Sequence, residues 1–506
     1  MNLGRIVQLL FSNLLAQLVS IFMQLVVPPL FLRFYANGIE VYGEWIALSA
    51  SISYLHTLNL GVQTYASNQM TILYSAGDIP AAKTVQASAL RLLLLLIILF
   101  VFGGLSVLLI PVDSLLKLTH VAPFAARLTL YLLMVQMAVF MLFDFLINSY
   151  MAIRMLHRGG NWVNAQRFCS VLLMGVALWH RSSFAVLAAV QLGSLLLFLL
   201  LVFLDVRRTA PILLPSLRYG NWRQVADILK PSGHFGLIAI AGILTWQGPV
   251  LLIQIVLGPA AAGLFSLVRV VFQMSRQLLA ITSWIIGQDI SLLVGKQNWE
   301  QLRRLYDLSE RVVLFLVPVI SVGSLLMCPF LFAVWLHKRD FYDPLLCILM
   351  AMISAALGIK EHKTQFQSAS NQHEALSYFV LSGYAIMLFV SFFSMRAFGL
   401  AGFLVTWLVW EIIQTGFVLR LNARLFPSGF GISARPVLRL SAFMAGAFAL
   451  AAVPAWFDGG WSLGRVTAVA VGITALLAVA AYFAFGLEKV RTLVFSRMKG
   501  RFAPGT

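Results

Sequence analysis

Residues 42–63 read YGEWIALSASISYLHTLNLGVQ, a stretch long enough to cross a bilayer that nevertheless carries polar side chains where lipid should forbid them. Turned at about 100° per residue, Ser49, Ser53, His56, Asn59 and Gln63 recur at spacings of 4, 3, 3 and 4, which gathers them on one helix face. Trp45, Ile46, Leu48, Ile52 and Leu55 cover the remainder. An unpaired polar group is costly in hydrocarbon, so this stripe must face protein or water.

The stripe has a counterpart 220 residues later. Ser49, Ser53 and His56 map onto Arg269, Gln273 and Arg276, again on one face of an apolar segment. The same offset pairs Pro29 with Pro249, Gly38 with Gly258, Gly43 with Gly263, Arg91 with Arg311, and the helix-capping types Asp78 and Asn298. A constant offset that aligns both punctuation and polar faces predicts two structurally equivalent halves.

Composition fixes the class. Of the 506 residues 60% are hydrophobic and 11% charged, against roughly 25% charged in soluble domains, and the mean hydropathy is +0.90. Fourteen apolar segments of roughly 18 to 28 residues can each span a hydrocarbon core about 30 Å thick: 8–32, 42–63, 88–111, 124–150, 162–180, 184–205, 234–257, 264–288, 311–336, 341–359, 376–396, 399–420, 437–457 and 463–487. No barrel-type alternation occurs, so the expected fold is an all-α polytopic membrane protein with two pseudo-symmetric six-helix lobes and two C-terminal helices. The lobes are expected at 1–205 and 234–425, with a linker at 206–233, the extra helices at 426–490 and a basic tail at 491–506.

The net charge of +18 does not point to nucleic acid. The 36 Lys and Arg concentrate in alternate connections, the positive-inside pattern that places both termini in the cytoplasm, and the surplus suits anionic headgroups. Cys169, Cys328 and Cys347 sit in apolar segments without ligand or disulfide spacing. In the linker, 221–231 (NWRQVADILKP) reads as an amphipathic helix capped by Asn221, closed by Gln224, ended by Pro231, with Trp222, Val225, Ala226 and Leu229 on its apolar face. SAGDIP at 75–80 predicts a helix start capped by Asp78. KEHK at 360–363 reads as a cytoplasmic helix end.

With YGEW at 42–45 opening the second span, NLGV at 59–62 near its end and GDIPAA at 77–82 after it, the chain resembles the polysaccharide transporter (Wzx-like) branch of the multidrug/oligosaccharidyl-lipid/polysaccharide flippase superfamily. That resemblance implies a bacterial inner-membrane flippase that moves an undecaprenyl-diphosphate-linked oligosaccharide from the inner to the outer leaflet. It also implies a monomer serving surface-polysaccharide synthesis beside glycosyltransferases and a polymerase, with a cationic cavity at Arg269 and Arg276.

The residues themselves offer matching chemistry. Arg269 and Arg276, roughly 10 Å apart along one helix face, can each present a bidentate fork to a diphosphate. Gln273, His56, Asn59, Gln63 and Ser53 are the accompanying substrate-binding candidates, and an interhelical hydrogen-bonding role is the alternative for Asn59 and Gln63. Asp144, sharing a face with Asn148, and Glu411, flanked by Trp407 and Gln414, are acids inside spans that could respond to a proton or sodium gradient or simply pair with a base. No Walker-type loop, metal-ligand cluster or external acidic pair is present, so no cofactor and no catalytic group is expected. Two rivals stand beside this reading: a multidrug or cation exporter of the same superfamily, which would want cavity carboxylates where the first span offers Asn13, Gln17 and Gln24, and a polytopic enzyme acting on lipid-linked glycans.

Overall fold

A computed structural model describes residues 3–153, 155–225, 240, 242–295, 297–337, 341–370, 374–425, 435–456 and 463–487. Among them the chain is helical with no strand. Eight of these helices are long and apolar enough to cross a membrane, and large apolar side chains such as Leu99, Phe102, Leu200 and Phe389 remain exposed on their outer faces. The architecture is that of an all-α polytopic membrane protein.

The chain divides into two compact units, Met1–Ser266 and Leu267–Thr506. The first holds α1 (Leu3–Phe34), α2 (Gly38–Ser75), α3 (Ile79–Ile98), the short α4 (Val112–Leu115), α5 (Pro123–Ile147), α6 (Ser149–Ala152), α7 (Leu156–Trp179), α8 (Phe184–Thr209), α9 (Gly248–Leu257) and the start of α10 (Pro259–Gly295). It reaches beyond the lobe boundary expected at residue 205 because α9 and the first turns of α10 pack on α2: Gln254 Nε2 also donates to Leu116 O at 2.9 Å. The core of this unit joins Met70, Phe143, Leu146, Tyr150, Leu195, Phe198 and Val202 from α2, α5, α6 and α8.

The second unit holds the rest of α10, then α11 (Trp299–Trp335), α12 (Pro344–Ala369), α13 (Glu374–Leu425), α14 (Arg435–Trp456) and α15 (Leu463–Ala484). α13 contains two expected spans, 376–396 and 399–420. They are separated by Gly399 at φ 61°, ψ −148°, a conformation open essentially to glycine alone. The chain reverses there, so Phe379 stacks on Phe417 with ring centroids 3.8 Å apart and Thr406 Oγ1 donates to Ser394 Oγ at 2.9 Å. The last two helices pack peripherally on α11 through Val313, Val317, Leu440, Met444, Ala470 and Leu477.

The offset of 220 recurs in local geometry. Asp78 and Asn298 both cap as expected, accepting from Ala81 N at 3.0 Å and Gln301 N at 3.1 Å. The residue before each, Gly77 and Gln297, has positive φ, and the turns bond identically, from Asp78 N to Leu73 O and from Asn298 N to Leu293 O, both at 3.0 Å. Where α2 crosses the start of α10, a Cβ on Gly43 would lie 2.0 Å from Pro259 O and a Cβ on Gly263 would lie 2.2 Å from Ile39 O. Residues 39 and 43 map onto 259 and 263 under the same offset, so this backbone-to-backbone crossing is reciprocal.

Two elements run longer than their apolar segments. α2 continues from the expected end at Gln63 to Ser75, since no breaker intervenes before Gly77. α12 continues past KEHK to Ala369. In the linker Asn221 Oδ1 accepts from Arg223 N at 3.0 Å as the expected cap, Trp222 is exposed and Val225 is buried. Ala226, Leu229 and Pro231, like the tail at 491–506, lie outside the described residues.

Candidate functional site

The polar stripe of the first unit lies along α2. Ser49 and Ser53 are half-buried, and Ser53 Oγ donates to Ser49 O at 3.1 Å, the local back-bond by which serine satisfies itself inside a helix. His56 and Asn59 occupy the helical positions the spacing gave them, but their side chains lie outside the described ones. Gln63 is buried and bridges to α5: its Nε2 donates to Met141 O at 2.7 Å and its Oε1 accepts from Asn148 Nδ2 at 2.9 Å. Asn148 is the residue at which α5 ends and α6 restarts, so the Gln63 amide braces that break. A small cleft beside it is lined by Gln63, Ser67, Met70, Gln86, Phe145 and Asn148, among others. Asp144, half-buried one turn before Asn148, interacts electrostatically with Arg167 of α7.

Arg269, Gln273 and Arg276 lie on α10 within the second unit, all half-buried. Arg276 NH1 donates to Glu361 Oε1 of α12, with side-chain exposures of 18% and 25%, so the pair is only partly covered by the protein. Glu361 Oε2 has no hydrogen-bond partner among the described residues.

Glu411 is fully buried on α13. Its carboxylate accepts from Tyr384 Oη at 2.6 Å and from Trp407 Nε1 at 3.0 Å, and it pairs with Lys360 of α12. Lys360 Nζ also donates to Tyr384 Oη at 2.7 Å and Gln414 Oε1 at 3.1 Å. Lys360, His362 and Lys363 are therefore buried between helices, and KEHK lies within α12 rather than at its end. Lys363 pairs with Glu310 of α11 under the Tyr306 ring, with Nζ 4.2 Å from the ring centroid. His362 Nε2 shares a hydrogen bond with Ser309 Oγ at 2.8 Å.

Three polar clusters escaped the sequence reading. Asp205 of α8 takes both prongs of Arg158 at 2.8 and 2.6 Å, Trp162 Nε1 at 3.1 Å, and Tyr150. Glu44, the carboxylate of YGEW, accepts from Thr119 Oγ1 and His120 N, each at 3.0 Å, and thereby fastens the 116–122 loop to the start of α2. The third is the row on α12, whose signal was a spacing of 3 and 4 between Lys360, Lys363 and Gln367.

No protein-family model matches this chain, and no curated protein does. Its fold matches solved structures along most of its length. The lipid II flippase MurJ in an inward closed conformation superposes with a TM-score of 0.68 at 13% identity, covering 97% of this chain and 100% of that one. A multidrug-resistance MATE family transporter of the MOP superfamily, in an inward-facing conformation, gives a TM-score of 0.63 at 12% identity, covering 81% and 99%. A MOP superfamily transporter from Pyrococcus furiosus, described as having a binding pocket of reverse polarity, gives 0.54 at 13% identity, covering 83% and 95%. The chain thus has the fold of these transporters.

Proposed function

We propose that this protein is a lipid flippase that carries an undecaprenyl-diphosphate-linked oligosaccharide from the inner to the outer leaflet by alternating access, for cell-surface polysaccharide synthesis. Arg269 and Arg276 bind the diphosphate, with Gln273 between them. Ser53, His56 and Asn59 meet sugar hydroxyls, whereas Gln63, bonded to Met141 and Asn148, serves the interhelical role; Asp144 responds to the ion gradient that drives transport. Glu361 holds Arg276 in place until the more highly charged diphosphate competes for it. Both termini face the cytoplasm of a bacterial inner membrane.

The observation that carries this reading is the pair of half-buried arginines seven residues apart on one face of α10. A guanidinium is costly to place inside a membrane, which makes each a functional-site candidate. The extent of the fold match supports the flippase over a drug exporter: the MurJ flippase accounts for 97% of the chain, whereas the MATE family transporter leaves about a fifth unmatched at 81% coverage.

The test reconstitutes the purified protein in proteoliposomes carrying a fluorescent undecaprenyl-diphosphate glycan and follows its exposure to a membrane-impermeant reagent. Flipping that falls when Arg276→Ala is introduced supports the proposal. Saturable binding of organic cations, with no movement of the lipid-linked glycan, refutes it.

A further inference from the structure

Lys360 and its neighbours belong to no part of the transport stripe, yet they form a complete coordination shell. The ammonium has three hydrogens and meets three oxygens: Glu411 Oε2, Tyr384 Oη and Gln414 Oε1. The carboxylate is held in turn by Tyr384 and Trp407. Glu411 and Gln414 are wholly buried, Tyr384 nearly so, and Lys360 keeps only 10% of its side chain exposed. One carboxylate, one carbonyl-type oxygen and one phenolic oxygen around a single positive charge is a hard-cation environment, and its net charge of minus one before the lysine arrives matches a monovalent ion.

We propose that the Lys360 ammonium is a tethered cation occupying an oxygen cage, made by Glu411, Tyr384 and Gln414, that otherwise binds a free monovalent cation such as sodium. The second unit is consequently preloaded: the α12–α13 pairing is held by a charge built into the chain, and Glu411 is closed to coupling with an external ion. This inference is independent of the flippase reading, since it concerns what fills the cage and not what crosses the membrane.

Removing the ammonium leaves a buried carboxylate, which must take up either a cation or a proton. The experiment measures thermal unfolding midpoints of the purified full chain in sodium chloride and in N-methyl-D-glucamine chloride at equal ionic strength. Wild type is expected to unfold at the same temperature in both salts. Lys360→Ala is expected to unfold at lower temperature in N-methyl-D-glucamine and to recover by about 5 °C or more in sodium. Lys360→Ala combined with Glu411→Gln is expected to lose that response, because the charge that holds the ion is gone.

A Lys360→Ala protein indifferent to sodium overturns the proposal, since the carboxylate has then taken a proton instead. A double variant that responds as strongly as the single one overturns it too, as does a wild-type sodium response that Glu411→Gln abolishes. Where Lys360→Ala cannot be purified in N-methyl-D-glucamine, sodium present throughout purification must rescue it. Failure in both salts, with the double variant purifying normally, equally refutes the cage.

Discussion

Glu310→Gln isolates the energetics of the buried polar row. Lys363 is 1% and Glu310 9% exposed at the side chain, so the substitution strands an ammonium where water cannot reach it. Breaking a buried ion pair from one side costs about 3–5 kcal/mol. The Tyr306 ring beneath Nζ is in contact both before and after the change, so it cancels in the difference. We therefore expect a loss of about 3–5 kcal/mol, which lowers the unfolding midpoint of a unit this size by roughly 6–20 °C. The assay is thermal unfolding in detergent of Glu310→Gln, Lys363→Met and the double variant. The double variant should recover stability relative to Glu310→Gln alone, with an interaction energy above about 1 kcal/mol. Losses that add within about 0.5 kcal/mol would show that the two charges do not sense one another, and the reasoning fails.

Three further outcomes follow from the geometry. Gly43→Ala and Gly263→Ala should each destabilise by about 1–3 kcal/mol or more, with the double variant losing less than their sum because both relieve one crossing; unfolding midpoints of the three proteins decide it. Asp78→Ala and Asn298→Ala should cost about 1 kcal/mol each and nearly equally, read as matching midpoint shifts, since the two caps share one hydrogen-bond pattern. Arg276→Lys should keep the Glu361 pairing yet reduce flipping about tenfold in the proteoliposome assay, because a lysine cannot offer two parallel donors to a phosphate.

Much of the fold could be read before any coordinates. Asp78 and Asn298 announced helix starts because capping is a local event, settled within four residues, and the offset of 220 survived as matching turns at 73–78 and 293–298. The polar stripe from Ser49 to Gln63 lies on one helix as its spacing required. What stayed hidden was non-local. Four polar residues in succession at KEHK read as a helix end, and nothing near them reveals that Lys360 meets Glu411 51 positions away, Lys363 meets Glu310 53 positions away and Glu361 meets Arg276 85 positions away. The role of Glu44 was likewise invisible, because its partners at 119 and 120 belong to a loop with no pattern of its own.

The glycine crossing of α2 with α10 has a mechanical corollary. Where side chains separate two helices, rotamer changes allow them to slide by small steps; where main chain rests on main chain there is no such cushion. The contact at Gly43 and Gly263 therefore tolerates little sliding, which gives any movement of these two helices against each other an end stop.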